Sequence, residues 1–172
     1  MKNSVKKEIE KLIENYGLNC SVKEFKDKVS KFIWEEISYK FLLSEDFIRE
    51  FQDYVDWREI SDYQELSEDF IREFQDKVNW KWISSRQELS EKIIREFKDK
   101  VSWNNISYKQ KLSEDFIREF QDKVNWKEIS SCQQLSLDFI REFEKQVDLK
   151  SILLNQKCIK DFIFPAKEKN EV

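Results

Sequence analysis

Apolar residues recur along this chain in one fixed order: Leu, Phe or Ile, Ile, Phe, Val, Trp and Ile. Between Leu112 and Gln134 they are Leu112, Phe116, Ile117, Phe120, Val124, Trp126 and Ile129. The same frame begins at Leu43, Leu66, Leu89 and Leu135, and each start lies 23 residues from the next. The stretch LSEDFIREFQDKVNW appears at Leu66 and again, unchanged, at Leu112. A constant short period marks a repeat array, because so few apolar residues cannot close a core alone and must stack on neighbouring units.

The polar residues between these slots predict two helices per unit. Ser113 is an N-cap followed by Glu114 and Asp115, whose charges suit the positive end of a helix. Leu112 before the cap and Ile117 inside form a hydrophobic staple. Phe116, Ile117, Phe120 and Val124 then mark one apolar stripe. This predicts a first helix of about three turns, ending near Val124. Glu114–Arg118 and Glu119–Lys123 are spaced for ion pairs along it, each worth roughly 0.2–0.5 kcal/mol. Asn125, with Glu128 three residues on, reads as the cap of a second helix of one or two turns, with Val124 and Ile129 as its staple. The two helices abut with almost no loop, which suits a chain with one Gly and one Pro.

Taken in order, 1–17 reads as an N-terminal capping helix. Val5, Ile9, Leu12 and Ile13 fall at helical spacing, and Gly17 is a stop that can take the left-handed conformation. Residues 18–42 form a degenerate repeat. Its Phe25 to Val29 segment matches Phe97 to Val101, and Trp34 and Ile37 match Trp57 and Ile60. Four residues separate Val29 from Trp34 where the later units have one, so this junction carries three extra residues. Five regular repeats occupy 43–157. Residues 158–165 restart half a unit as a C-terminal cap, and 166–172 form a charged tail after Pro165. The expected fold is therefore all-α: a single-domain solenoid of short helix-turn-helix repeats with capping helices at both ends.

Charge and composition narrow the function classes. The chain has 172 residues, a formal net charge of −4 and no His. An acidic balance disfavours nucleic-acid binding, which relies on releasing counterions from phosphates. Without His the usual general base and commonest metal ligand are missing. No metal, cofactor or catalytic residue is expected, and the reading is non-enzymatic. Cys20, Cys132 and Cys158 form no C-x-x-C motif and fit a reducing compartment. No apolar run is long enough to span a bilayer. An intracellular protein without a membrane segment is expected.

The phrase LSEDFIREFQDKVNW, with W-x-x-I-S and a closing Gln, resembles the short helical repeats of giant DNA viruses that infect amoebae. The likeness covers 43–156 well and 21–40 poorly. It implies a helical array acting inside a host cell, and it brings no catalytic residue with it.

Candidate interaction residues come from comparing copies. Four rows hold constant: Arg49, Arg72, Arg95, Arg118 and Arg141; Ser61, Ser84, Ser107 and Ser130; Gln64, Gln87, Gln110, Gln133 and Gln156; and Trp57, Trp80, Trp103 and Trp126. Each has a folding explanation that outweighs a binding one. The Arg side chains have acidic neighbours at helical spacing, the Ser and Gln side chains can satisfy helix-end carbonyls, and the Trp residues sit beside the core Val. Nucleic-acid binding through the Arg row is the weakest functional reading. Trp82 differs, because its slot holds Glu59, Asn105 and Glu128 elsewhere. Nearby variable slots carry Arg58, Tyr63, Arg86, Tyr108 and Lys109. Trp, Tyr and Arg dominate binding hot spots, so the expected function is a scaffold that binds an unidentified protein partner through this face. The alternative is a self-assembling, homodimer-forming protein that uses apolar residues near the C-terminal end: Leu137, Leu153, Leu154, Phe162 and Phe164.

Overall fold

The computed structural model describes residues 1–155, and these residues form helices and turns with no strand. They fall into two compact units, 1–87 and 88 onward. The fold is all-α and built from short repeats, as the period predicts.

The first unit opens with α1 (Asn3–Tyr16), closed by Gly17 at φ 59°. The degenerate repeat follows as α2 (Phe25–Lys28) and α3 (Lys31–Lys40). Two regular repeats complete it: α4 (Glu45–Glu50) with α5 (Trp57–Tyr63), and α6 (Glu68–Glu73) with α7 (Trp80–Arg86). The second helices pack in register, α3 on α5 and α5 on α7. The second unit contains α8 (Glu91–Glu96), α9 (Trp103–Lys109), α10 (Glu114–Glu119), α11 (Trp126–Cys132), α12 (Leu137–Glu142) and α13 (Leu149–Asn155). There α9 packs on α11 and α11 on α13. The expected half-repeat at 158–165 and the tail at 166–172 lie outside the described residues.

The first helix of each regular repeat is shorter than its sequence predicts. In the repeat at Leu112 it ends at Glu119 after six residues, not near Val124. Phe120 leaves helical geometry at φ −113° and ψ 28°, and its carbonyl accepts both Lys123 N–H and Val124 N–H. The same bend recurs at Phe51, Phe74, Phe97 and Phe143. Packing fixes it. Phe74 lies 4.6 Å from Phe70 and 5.0 Å from Trp57 of the preceding repeat. Burying these rings outweighs the helix preference of the Gln-Asp-Lys run that follows. The bend also displaces the expected Glu119–Lys123 pair. Lys123 instead reaches Asp99 of the preceding repeat at 2.7 Å, and Glu119 accepts from Arg95 of that repeat at 2.7 Å.

The caps form as the sequence predicts. Ser44, Ser67, Ser113 and Ser136 accept the backbone N–H three residues on. Asp56, Asn79 and Asn125 each take two N–H groups at the start of the second helix. The core runs through the Phe and Ile slots: Phe47, Ile48, Phe70, Ile71, Phe116 and Ile117 are completely buried.

Glu residues connect successive first helices in a way that lay outside the sequence reading. Glu45 accepts from the N–H of Ser67, Glu91 from Ser113, and Glu114 from Ser136, at 2.6–2.7 Å. The capping helix imitates the contact. Glu8 of α1 accepts from Ser44 N–H at 3.1 Å and Ser44 Oγ at 2.6 Å, so α1 supplies the carboxylate that a preceding repeat would. In α12, Leu137 stands where the repeats have Glu and offers no such carboxylate.

Candidate functional site

The rows of fixed polar residues are consumed by folding. Ser61 is completely buried; its Oγ donates to Trp57 O at 2.6 Å and accepts from Asn79 N–H at 2.9 Å. Ser38, Ser107 and Ser130 do the same with Asp56, Asn125 and Asp148. Each Ser thus ties one repeat to the N-cap of the next, a role beyond the local carbonyl capping read from sequence. The Gln row reaches in the other direction. Gln64 Oε1 accepts Leu43 N–H, and its Nε2 donates to Ser38 O and Phe41 O. Gln133 serves Leu112, Ser107 and Gln110 likewise. Gln156 lies outside the described residues.

The Arg row is paired in the way its acidic neighbours suggest, and it reaches further. Arg49 contacts Glu45 and Asp46 of its own helix and donates through Nε to Glu73 of the next repeat at 2.7 Å. Its guanidinium carbon sits 4.9 Å from the ring centre of Phe70. Arg95 and Arg118 repeat the pattern with Glu119 and Glu142, over Phe116 and Phe139. Hydrogen bonds to these Glu carboxylates raise the Arg49, Arg95 and Arg118 pKa above the ordinary guanidinium value.

The Trp row is half-buried rather than fully core. Trp57 packs on Phe70 and Phe74 of the next repeat, and Lys77 lies over its ring at 5.8 Å. Its indole N–H donates to Gln52 O at 2.9 Å.

With those rows occupied, the variable slots on the second helices remain as open surface. In the first unit they lie on α3, α5 and α7. Trp82 is half-buried on α7, with Lys81 Nζ at 5.8 Å and the Arg86 guanidinium at 5.7 Å from its ring centre. Arg86 Nε donates to Asp62 of α5 at 2.6 Å. Tyr63 is exposed on α5 and meets Tyr39 of α3 at 5.9 Å. Tyr39 was not singled out from sequence. Its signal is the register, since Tyr39–Tyr63 and Asp62–Arg86 are both separated by 24 residues and join the same two slots on successive helices. Arg58 is exposed on α5 and makes no ion pair among the described residues. In the second unit, Tyr108 and Lys109 occupy the corresponding slots of α9, with the ammonium 4.6 Å from the phenol ring.

The apolar residues near the C-terminal end divide differently. Leu154 is 72% exposed on α13, while Leu153 and Leu137 are half-buried. Phe162 and Phe164 lie outside the described residues. Among the described residues no helix is long and apolar enough to cross a membrane, and no cluster of acidic or Cys side chains is spaced to hold a metal ion.

No protein-family model, no curated protein and no solved structure matches the chain.

Proposed function

We propose that this protein is a non-enzymatic scaffold that binds a protein partner through the outer face of its second helices. One observation carries the reading. The residues that stay constant between repeats are spent on contacts between repeats, whereas other slots on the second helices vary: in the first unit they hold half-buried Trp82 and exposed Arg86, Tyr63 and Arg58, and in the second unit exposed Tyr108 and Lys109. Aromatic rings flanked by guanidinium and ammonium groups present apolar area and donors at low conformational cost. Such a face suits a partner segment with acidic and apolar residues. On the resemblance to amoebal giant-virus repeats, we take that partner to be a protein of an infected host cell. Affinity capture from host lysate tests the face: the Trp82→Ala/Arg86→Ala protein should lose partners that the unaltered protein retains. Identical partner sets would remove the face from consideration.

A second reading is self-assembly through α13. The exposure of Leu154 and of Leu149 at 46% supports it, since exposed apolar side chains on one helix favour a further layer against it. Light scattering across a concentration series separates the two readings. A monomer at every concentration leaves only the scaffold.

A further inference from the structure

Trp34 breaks a rule that the other Trp residues of this row obey. Trp57 donates its indole N–H to Gln52 O, Trp103 to Lys98 O and Trp126 to Gln121 O, each five residues back and at 2.9–3.0 Å. The residue of the degenerate repeat in register with Gln52 is Lys26, which lies eight residues before Trp34. The three extra residues, Lys31 to Ile33, form the first turn of α3. Where α5 begins at its Trp, α3 begins one turn earlier, a rise of about 4.5 Å. The indole no longer meets that carbonyl. Trp34 is 3% exposed, and its Nε1 is buried with no hydrogen-bond partner. A buried donor left unpaired costs about 1–3 kcal/mol.

A second departure lies beside it. Tyr54 occupies the slot that holds Lys77, Lys100 and Lys123 in later repeats. Its ring lies 5.4 Å from that of Trp34, inclined at 34°. Both line a cleft of about 400 Å³, together with Lys26, Lys31 and Glu35. That volume lies within the range of small-molecule sites. The other carboxylates on its wall are already engaged. Asp53 pairs with Lys77 at 3.1 Å, and Asp56 caps α5 through the N–H groups of Arg58 and Glu59. Lys26, Lys31 and Glu35 make no ion pair among the described residues, so two ammonium groups and one carboxylate stand without an ion-pair partner at the cleft.

We propose that this cleft is a binding site for a small organic carboxylate with a flat apolar body. The body seats against Tyr54 and Trp34. The carboxylate lies between Lys26 and Lys31, and one oxygen accepts the unpaired indole proton. Three departures from the repeat, the inserted turn, the unpaired donor and the Lys-to-aromatic exchange, meet at this one place. The stacking of repeats requires none of them, since the regular units do without all three. The site is independent of the partner-binding face on α5 and α7.

The test uses the full chain labelled with nitrogen-15 and reads the indole N–H signals, one for each of its six Trp residues. Trp34→Phe identifies the Trp34 signal by its disappearance. Phenylacetate is the probe, with the phenethylammonium ion and benzyl alcohol as cationic and neutral counterparts. Phenylacetate should move the Trp34 signal saturably and bind at least about tenfold tighter than either counterpart, the worth of one charge-assisted hydrogen bond. Lys26→Glu/Lys31→Glu should weaken binding about tenfold or more, and so should Tyr54→Lys, which restores the residue of the later repeats. N-acetylphenylalanine separates two sources of the same chemistry: tighter binding than phenylacetate points to a peptide C-terminus, and weaker binding to a free acid. A Trp34 signal that none of the probes moves overturns the site. So do equal responses to all three charges, or phenylacetate affinity unchanged in the double Lys variant of a chain that retains its helical circular dichroism.

Discussion

Trp34 and Trp57 occupy the same slot in successive repeats and meet different fates. Trp57 is half-buried, and its N–H is paired within its own repeat. Trp34 is enclosed by Phe25, Phe47, Phe51 and Tyr54, and its N–H is unpaired. Two differences separate them: the three extra residues before Trp34, and Tyr54 against its ring where Trp57 has Lys77. A repeat can therefore keep its core while one turn of added helix redirects a polar atom and opens a cleft.

Several substitutions sharpen this contrast, beginning with those of largest effect. Phe25→Ala and Phe74→Ala remove buried rings at equivalent slots, and each should lower stability by about 3–5 kcal/mol in chemical denaturation. A much smaller loss at Phe25 would mean that the degenerate repeat is not packed as a repeat. Ser38→Ala and Ser61→Ala should each cost about 1–3 kcal/mol, because each strands the N–H of the next N-cap residue in a part-buried place. Equal costs would show that the connection between repeats survives the inserted turn.

The indoles themselves should then diverge. Trp57→Phe loses a hydrogen bond worth about 1 kcal/mol on top of its lost volume, whereas Trp34→Phe removes an unpaired buried donor and gives up no hydrogen bond. Trp34→Phe should be the milder change by about that amount; equal losses would mean the Trp34 donor is satisfied. Deleting Lys31–Ile33 creates Val29-Ser30-Trp34, the order found in Val101-Ser102-Trp103. Its Trp34 indole proton should exchange more slowly with solvent than in the parent chain, as the lost hydrogen bond returns.

The smallest effect concerns the capping helix. Lys2 holds the Asp46 carboxyl below the ordinary aspartate value through a hydrogen bond and its charge. The native state therefore binds this proton less readily than the unfolded chain does, and folding gains from the ionised form above the ordinary value. That gain fades as the pH falls through the depressed value. Lys2→Met should lower stability slightly at neutral pH and leave it unchanged below the depressed value, so the acid limb of the stability profile flattens.

Much of the fold was legible in the sequence because it is written in local patterns. The period of 23, the Ser caps before Glu-Asp and the Asn caps before Trp each depend on residues within one unit, and each appears where expected. The length of the first helix was not legible. Four residues of helical pattern, Gln121 to Val124, run past Phe120 in sequence, yet the chain bends there because the Phe ring packs on a Trp from another repeat. The candidate face was half legible. Trp82 and Arg86 stand out by differing from their counterparts, but the contact of Tyr39 with Tyr63 needed the stagger of successive helices.

The sequence by itself determined the all-α class, the repeat boundaries, the caps and the row of core residues, because helix periodicity and capping act over a few residues. Only the tertiary structure decided how the fixed polar rows are used. Ser61 serves a residue 18 positions on, Gln64 one 21 positions back and Arg49 one 24 positions on, and only the stacking of one repeat on the next brings these together. The cleft at Trp34 belongs to the same category. Its cause, three extra residues, is visible in the sequence, but its consequence depends on where an added turn of helix carries a side chain within packed neighbours.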